Sequence, residues 1–382
     1  MGKKIRVWDG TAWQDVAPSL PYTAIHSAQA SMPATGVDGQ VWLDTDGTLA
    51  GQDFVPLTGG TMTGNLNTPS INSGGITGQN YIINGGMDVW QRGTSFTGGQ
   101  FTADRWTLAA NSGTLTASRS TDVPSNLGFS YSYSMGGTGL NTQIYTRLES
   151  LQSARFAGQT VTYSVYAKST AGSSPLSYVG IYPTATDDWS GSNVTDVQGN
   201  FIATPAGAWT RYSVTFTVNS LATRGYDLRI YRNGTEASTT LLTGIKLEIG
   251  SQATPFSRAG GTIAGELTEC QRYYWRTSPI LGSGVYARYS GFSPAVSTTG
   301  ILAIVQNPVP MRVRPTSIDY LNVATYDNTN IGGTVSSLSL NGDTTIYQAY
   351  VVVGTSGLTQ YRPYQLMASN TSNSYLGFSA EL

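Results

Sequence analysis

Hydrophobic and polar residues alternate with a period of two through the middle of the chain, which is typical of β-strands with one buried face. The apolar positions of the four clearest stretches are Val161, Tyr163 and Val165; Val214, Phe216 and Val218; Tyr226, Leu228 and Ile230; and Ile245, Leu247 and Ile249. One apolar and one polar face per strand predicts antiparallel sheets packed face to face. Gly, Pro and Asn turns between the strands favour a jelly-roll β-sandwich over residues 81–258, an architecture common in carbohydrate-binding modules.

The carboxyl-terminal residues 277–382 show the strand signal again. Apolar runs occupy residues 300–305, 317–321, 347–353 and 375–378. Because proline cannot donate a ladder hydrogen bond, Pro308, Pro310 and Pro315 confine the segment between them to a sheet edge or a loop. The pattern predicts a second, smaller β-sandwich as a tip domain, and the predicted fold class is all-β.

One helix is predicted, in a connector over residues 259–276. Its apolar residues are Ile263, Leu267, Cys270 and Tyr274. They recur at helical spacing and define a single face. Cys270 is the single cysteine, so no intrachain disulfide can form, and its place on this face indicates a packed structural thiol.

The first 57 residues form a leader with two short hairpin signals. Residues 5–8 and 13–16 flank an Asp-Gly-Thr turn, and residues 40–44 precede a second turn sequence at 45–48. Strands this short bury little surface alone, so the leader is expected to dock onto a larger body. The alternative is a mobile terminal arm.

Residues 58–80 are nearly all Gly, Thr, Ser and Asn. The isolated apolar residues are Met62, Leu66, Ile71 and Ile76. A single chain with so few apolar groups cannot offset the entropy of ordering itself, whereas three copies wound about one axis can bury those groups together. We interpret this segment as a short trimeric shaft; a flexible linker is the alternative.

Four motifs, in the same order along the chain, resemble those of tail fibres and receptor-binding proteins of tailed bacteriophages. They lie at residues 56–64, at 84–93 with 103–106, at 247–256 and at 269–274. The second motif, Asn-Gly-Gly-Met-Asp-Val-Trp-Gln-Arg-Gly followed by Ala-Asp-Arg-Trp, resembles the opening of the receptor-binding domain. The others resemble a shaft repeat, the closing strand and the following junction. The resemblance implies a β-sandwich receptor-binding domain, a homotrimer and a host-facing carboxyl end.

Low charge is the main compositional feature. Only 11% of the 382 residues are charged, against about 25% in typical soluble domains. The 23 Tyr, 10 Phe and 8 Trp argue for a folded chain despite 45 Gly. A net charge of −1 does not indicate the basic surface that nucleic-acid binding requires. The chain opens without the apolar core of a signal peptide, and no apolar run reaches membrane-spanning length, so synthesis in the host cytoplasm without membrane insertion is expected.

Catalytic and metal sites receive little support. His26, in the leader, is the single histidine, which excludes a Ser-His-Asp triad from the main domains. No phosphate-binding glycine loop and no β-helix repeat occur. Glycoside hydrolysis needs only two carboxylates at a suitable separation. The sequence does not exclude that two of its 22 acidic residues form such a pair. No cofactor is expected; the adjacent Asp187 and Asp188 are candidates for a structural calcium ion.

Sugar recognition needs aromatic rings against the apolar face of a pyranose and polar groups for its hydroxyls. Two groups of residues have this chemistry. The first is Tyr182, Asp187, Asp188 and Trp189, and the second is Tyr286, Arg288, Tyr289 and Phe292. For the first, the alternative is a turn whose tryptophan covers the sandwich. For the second, it is a strand packed against a neighbouring chain.

Five residues near the start of the sandwich are assigned to structure. They are Trp90, Arg92, Asp104, Arg105 and Trp106. Arginine–aspartate pairing and tryptophan packing would fix the start of the domain.

These observations predict a homotrimeric phage tail fibre or receptor-binding protein, located in the tail of the virion. The leader would attach to tail or baseplate proteins, and the two β-domains would bind host surface polysaccharide without turnover. Weak sites become effective when repeated on one fibre. The alternatives are a structural tail component that binds other virion proteins and a polysaccharide depolymerase.

Overall fold

A computed structural model of the chain describes residues 5–8, 11–16, 25–29, 41–44, 78–138, 141–170, 176–201, 207–232, 239–278, 286–327, 329 and 331–382. The chain divides into two compact units, residues 1–72 and residues 73–382.

Four short strands form the sheet of the first unit. They are β1 (Ile5–Trp8), β2 (Trp13–Val16), β3 (Ile25–Gln29) and β4 (Val41–Asp44), in the order β2-β1-β4-β3. β1 and β2 pair antiparallel with Trp8 opposite Trp13, which confirms the first predicted hairpin. β4 pairs antiparallel with β1 and parallel with β3. The second predicted turn, at residues 45–48, lies outside the described residues.

The predicted trimeric shaft also lies outside the described residues, except for its last three positions, 78–80. Its apolar residues Met62, Leu66, Ile71 and Ile76 belong to the part that the structure does not describe. The shaft therefore stays a prediction.

Two six-stranded antiparallel sheets form the sandwich of the second unit. Their strands are β5 (Ser95–Thr97), β6 (Gln100–Phe101), β7 (Thr107–Ala109), β8 (Thr116–Ser120), β9 (Ser132–Gly136), β10 (Thr142–Leu148), β11 (Thr160–Ser169), β12 (Leu176–Ala185), β13 (Asp188–Asn200), β14 (Thr210–Thr217), β15 (Tyr226–Arg232) and β16 (Thr240–Ile249). One sheet has the order β13-β12-β15-β10-β7-β6 and the other β14-β11-β16-β9-β8-β5. The prediction of an antiparallel β-sandwich is confirmed.

The core between the sheets is aromatic and continuous. Val161, Tyr163 and Val165 are all fully buried, as the alternation predicts. The largest side chains in this core include Trp106, Tyr133, Phe156, Tyr163 and Tyr226. Burial of side chains of this size dominates the free energy of folding of such a domain.

The polar face of β16 is buried, which differs from the expectation of an exposed polar face. The Lys246 and Glu248 side chains are each 1% exposed and form an ion pair of 3.1 Å. Lys246 Nζ also donates to Thr254 Oγ1 at 2.6 Å and to the Pro255 carbonyl at 2.9 Å. The segment that follows β16 folds over this face, so the charges are buried but satisfied.

The opening segment of the sandwich, residues 78–93, is anchored along β16. The buried Asn80 amide donates to the carbonyls of Ile245 and Ser257, at 3.1 Å each, and its oxygen accepts from Leu247 N at 3.1 Å. At Gly85 an added Cβ would lie 2.0 Å from the Ile245 carbonyl oxygen. Only glycine permits this close approach, since any side chain would displace the backbone.

The connector contains helix α2 (Ile263–Gln271), with Thr262 Oγ1 accepting from Gly265 N at 3.0 Å as the N-cap. The predicted apolar face is wrong. Ile263 is 53% exposed and Leu267 is 37% exposed, whereas Glu266 and Cys270 are fully buried.

Glu266 takes the inner position because backbone donors satisfy its carboxylate. It accepts from the backbone N–H of Asn84 and from Gly260 N at 2.8 Å. Tyr274, the last residue of the predicted helical face, begins a β-strand.

The carboxyl-terminal domain, called the tip, contains two antiparallel sheets. Its strands are β17 (Tyr274–Thr277), β18 (Ser293–Ser297), β19 (Gly300–Gln306), β20 (Ser317–Leu321), β21 (Val323–Tyr326), β22 (Ile331–Thr334), β23 (Ser337–Leu340), β24 (Gln348–Gly354), β25 (Pro363–Ala368) and β26 (Tyr375–Ser379). The sheets have the orders β17-β26-β20 and β22-β21-β25-β18-β19-β24-β23. All four predicted apolar runs are strands, and residues of both sheets share one buried core.

Candidate functional site

Two neighbouring strands place charged and aromatic side chains together on the outer face of the first sandwich sheet. In β10 and β15, Tyr145 lies opposite Arg229 and Arg147 lies opposite Asp227. The intervening residues point into the core, which fixes the strands from below. We call this surface the Tyr145 face; its residues are Gln143, Tyr145, Arg147, Asp227, Arg229 and Tyr231.

A shared carboxylate holds the two arginines of this face. Arg229 donates from Nε to Asp227 Oδ1 at 2.9 Å and from Nη2 to Oδ2 at 3.0 Å. Arg147 Nε lies 3.5 Å from Asp227 Oδ2. Burial raises the pKa of Asp227, and the charges of Arg229 and Arg147 oppose that rise. A bidentate pair of this kind fixes the guanidinium plane.

The Tyr145 ring lies close to both guanidinium groups. Its centroid is 5.1 Å from the Arg229 guanidinium carbon and 5.4 Å from that of Arg147. All three side chains are partly exposed. The two cation–π contacts restrict the ring, and its partial exposure leaves part of this aromatic surface within reach of solvent.

Further polar and apolar groups extend the face. Gln143 Oε1 accepts from Arg229 Nη1 at 3.4 Å, and Gln143 lies opposite Tyr231. On the next strand, β12, Val179 lies opposite Arg229 and Ile181 opposite Asp227. The face thus combines aromatic rings, hydrogen-bond donors and a small apolar area.

Of the first predicted glycan group, only Trp189 adjoins this face. The Arg147 guanidinium carbon lies 5.0 Å from the Trp189 ring. The Trp189 indole N–H is buried and has no acceptor among the described residues. Tyr182 is 7% exposed and belongs to the sandwich core, so it is removed from the candidate site.

Asp187 and Asp188 hold different groups. Asp187 accepts from Ser150 N at 2.7 Å and from Ser150 Oγ at 2.8 Å, at the start of the short helix α1 (Ser150–Ser153). Asp188 is exposed and accepts from Ser190 N and Oγ in a local turn. Within the described ranges, no group of three or more His, Cys, Asp or Glu side chains could hold a metal ion.

The second predicted glycan group is divided by burial. Tyr289 is 6% exposed, packs in the tip core and shares a hydrogen bond of 2.7 Å with Ser374 Oγ. Tyr286, Arg288 and Phe292 remain exposed. Burial removes Tyr289 from the candidate site and leaves the other three accessible.

The five residues assigned to the start of the sandwich lie at its junction with the tip. Trp90 and Trp106 are buried in the sandwich core. The Arg92 guanidinium lies 3.7 Å from Asp104, and Arg105 pairs with Glu381 of the tip. Burial raises the pKa of Asp104 to about 6, opposed most by the charge of Arg92.

Tyrosine rings of the connector complete this junction. Arg92 lies 3.5 Å from the ring centroid of Tyr274, and Arg105 lies 3.5 Å from that of Tyr273. Arg92 is also 3.3 Å from Glu381. The group joins the sandwich to the tip; Arg105 is almost inaccessible and Arg92 is mostly buried.

Sequence reasoning identified none of the six residues of the Tyr145 face as site residues. The alternation in β15 was visible, with Asp227, Arg229 and Tyr231 on its polar face. A charged and aromatic polar face on a central strand is the signal that could have indicated a site. The position of β10 beside β15 is a long-range pairing that periodicity does not reveal.

No helix within the described ranges is long and apolar enough to cross a bilayer.

No protein-family model and no curated protein sequence matches the chain. Solved structures match it over less than half of its length. The enzymatically active domain of tailspike protein 4 from bacteriophage CBA120 is 18% identical with a TM-score of 0.32, over 45% of this chain and 22% of that chain. The CBM22-1 xylan-binding domain from Paenibacillus barcinonensis is 13% identical with a TM-score of 0.30, over 41% of this chain and 95% of that chain. The C-terminal family 22 carbohydrate-binding module from Clostridium thermocellum is 14% identical with a TM-score of 0.30, over 40% of this chain and 91% of that chain. Similarity at this level assigns no function to the chain.

Proposed function

We propose that the protein binds cell-surface glycans through the Tyr145 face and does not turn them over. The observation that carries the proposal is the partly exposed Tyr145 ring with the guanidinium groups of Arg147 and Arg229 beside it on two neighbouring strands. The apolar face of a sugar ring stacks on tyrosine, and guanidinium N–H groups donate to its hydroxyls. Asp227 holds Arg229, and Arg147 is held by Asp227 together with the Leu382 carbonyl, which accepts from Arg147 Nη1 at 2.7 Å, so little side-chain entropy is lost on binding.

Binding without turnover is favoured by the carboxylates of this face. Glycoside hydrolysis usually needs two carboxyl groups on either side of the scissile bond. Asp227 is the one carboxylate of the Tyr145 face as defined, and it is fully buried beneath the two arginines. The face therefore offers recognition groups without a general acid and base pair.

A glycan array probed with the purified full chain and its Tyr145→Ala variant tests this assignment. The wild type is expected to bind a set of surface polysaccharides, and the variant to bind them about tenfold or more weakly, as for a central aromatic contact. Tyr131→Ala is the matched control, because Tyr131 is another partly exposed ring with an arginine, Arg119, 4.2 Å from its centroid on the other sheet.

Two results would contradict the proposal. One is equal loss of binding in the Tyr131 control, and the other is release of reducing ends from the bound polysaccharide. The second result would favour a depolymerase. No binding to any glycan would favour a structural component of the tail.

We further propose that this binding serves a homotrimeric tail fibre of a bacteriophage, as the four sequence motifs imply. The leader, whose sheet is a separate unit, would attach to tail or baseplate proteins. Three copies on one fibre would raise the effective affinity of weak sites.

The outer face of the larger tip sheet supports contact between copies. Leu302 pairs with Val352 and Ile304 pairs with Tyr350 across β19 and β24. Ile304 is 37% exposed and Val352 is 41% exposed. The strands β18, β19, β23 and β24 contain no Asp, Glu, Lys or Arg, so identical copies could meet here without charge repulsion.

Sedimentation of the full chain measures the assembly. The wild type is expected at three times the chain mass of 40.6 kDa, and Ile304→Lys at a lower mass at equal concentration, because lysine would bury a charge at the contact. Leu321→Lys, which places the same charge at an exposed apolar position of the smaller tip sheet, should remain trimeric. A wild type that sediments as a monomer at micromolar concentration contradicts the trimer.

A further inference from the structure

A cavity of about 260 Å³ lies at one end of the sandwich and includes none of the residues of the Tyr145 face. The opening segment, helix α1 and helix α2 surround it, so we call it the α1–α2 cavity. Drug-sized ligands occupy pockets of about 300–1,000 Å³. A cavity below that range suits one small molecule with the size of a single sugar residue.

Two apolar side chains, Ile83 and Ala259, form part of the mostly polar lining of the α1–α2 cavity. Ile83 is 4% exposed and packs with Val89, Cys270 and Tyr273, and Ala259 packs against the same cluster. These two side chains offer the apolar contact that small-molecule sites combine with fixed polar groups.

One wall is a guanidinium held between two carboxylates. Arg272 donates from Nη2 to Glu149 Oε1 at 3.0 Å and from Nη1 to Glu269 Oε2 at 3.2 Å. The Glu269 side chain is 35% exposed, so its carboxylate can also accept from a ligand. Adjacent donors and acceptors of this kind match neighbouring hydroxyls of a sugar, each of which both donates and accepts.

The other wall combines an aromatic ring with a second arginine. Tyr81 is fixed by its backbone N–H, which donates to the Leu247 carbonyl at 3.0 Å, and by edge contact with Phe156 at 5.2 Å. Arg155 is exposed and makes no side-chain hydrogen bond or ion pair with any described residue. Its charge acts on Tyr81, because it opposes the rise in the pKa of Tyr81 that burial causes.

We propose that the α1–α2 cavity is a second glycan site, which takes one neutral sugar residue. Two acidic side chains, Glu149 and Glu269, balance two basic side chains, Arg155 and Arg272, so the lining favours an uncharged polyol over an anion. The sugar would lie on Ile83 and beside Tyr81, with its hydroxyls on Glu269 and Arg155. This inference rests on the proposed glycan-binding function, yet it concerns different residues.

Saturation-transfer NMR with methyl glycosides of glucose, galactose, mannose and N-acetylglucosamine tests the site on the full chain. At least one glycoside is expected to bind with a millimolar dissociation constant, and Arg155→Ala to weaken it about tenfold through loss of a charged hydrogen bond. Arg155 is exposed, so the folded state should be retained, which the urea midpoint checks. Arg314→Ala, at an exposed arginine of the tip outside both candidate glycan groups, is the matched control and should bind normally.

The proposals for the α1–α2 cavity and for the Tyr145 face can be tested independently. Tyr145→Ala should leave binding of the single sugar unchanged while it weakens polysaccharide binding on the array about tenfold or more. Saturation transfer that Arg155→Ala does not reduce, or none from any of the four glycosides, would overturn the α1–α2 site without affecting the Tyr145 face. Sugar binding at the cavity with an inactive Tyr145 face would instead overturn the proposed function of the face.

Discussion

Two groups of residues in this protein combine arginines, tyrosine rings and a shared carboxylate in different surroundings. At the junction of sandwich and tip, Arg92 and Arg105 share Glu381 and lie on Tyr274 and Tyr273. On the Tyr145 face, Arg147 and Arg229 share Asp227 and both lie close to the Tyr145 ring.

Exposure distinguishes the two groups. The Arg105 and Arg92 side chains are 2% and 12% exposed, whereas those of Arg147 and Arg229 are 21% and 18% exposed. Partners on both the sandwich and the tip cover the junction group, so its contacts contribute to stability. One side of the Tyr145 face is open, so the same chemistry can bind a ligand there. Residue type therefore does not separate a structural site from a binding site, and burial does.

The largest expected effect comes from breaking the junction. Arg105→Ala should lower the free energy of unfolding by about 3–5 kcal/mol, because it leaves the Glu381 carboxylate with a weaker partner and removes the packing on Tyr273. Urea denaturation at fixed chain concentration measures this. Arg288→Ala, at an exposed tip position, should change stability by less than about 0.5 kcal/mol. An equal effect of both substitutions would show that the buried junction contributes no more to stability than an exposed arginine does.

The pH dependence of stability sharpens the comparison next. Asp104 has a pKa of about 6 in the folded chain, raised by burial, against about 3.9 when unfolded. Between about pH 4 and pH 6 the folded state therefore binds more protons than the unfolded state. The stabilisation that comes from protonated Asp104 is complete below about pH 4 and is lost as the pH rises through the folded-state pKa of about 6. Between pH 4 and pH 7 the wild type should lose about 2–3 kcal/mol relative to Asp104→Asn.

Urea denaturation of both proteins across this pH range measures the difference. The Gln91 side-chain amide donates to Asp104 at 2.5 Å. In Asp104→Asn an amide N–H can face that donor, which would lower the free energy of unfolding by the same amount at every pH. The difference between the two curves, rather than either curve alone, carries the prediction. Parallel curves would show that Asp104 ionises normally at the junction.

The smallest effect is expected on the exposed group. Arg147→Ala should cost about 1–2 kcal/mol of stability, because it removes the hydrogen bond of 2.7 Å from Arg147 Nη1 to the Leu382 carbonyl while Arg229 keeps its bidentate contact with Asp227. The same substitution should weaken glycan binding clearly, because Tyr145 and Trp189 each lose a guanidinium neighbour. Calorimetric unfolding and the glycan array measure the two quantities. A stability loss as large as that of Arg105→Ala would place Arg147 among the structural residues.

Much of the fold follows from local pattern. The alternation in Val161, Tyr163 and Val165 predicted the inner face of β11 because the strand period of two is a local property of the backbone. The connector helix was also predicted, but its inner face was not. Glu266 is buried there because the backbone N–H groups of Asn84 and Gly260 satisfy it, and Asn84 is far away in the sequence.

The candidate sites depended more on tertiary structure. Tyr182 and Tyr289 have the residue type that sugar sites need, yet both rings are buried in cores. Composition cannot separate a stacking ring from a packing ring, because only the surrounding chain decides what solvent reaches. Trp189, by contrast, adjoins the Tyr145 face through Arg147.

The sequence by itself determined an all-β chain, with strands whose inner and outer faces can be read from their period, and a cluster of Trp, Arg and Asp at the start of the sandwich. Tertiary structure alone decided which polar faces meet. The pairing of β10 with β15 brings Tyr145 and Arg147 beside Asp227 and Arg229, across about eighty residues of chain. Such pairing depends on the whole sheet order, and a local pattern carries no information about it.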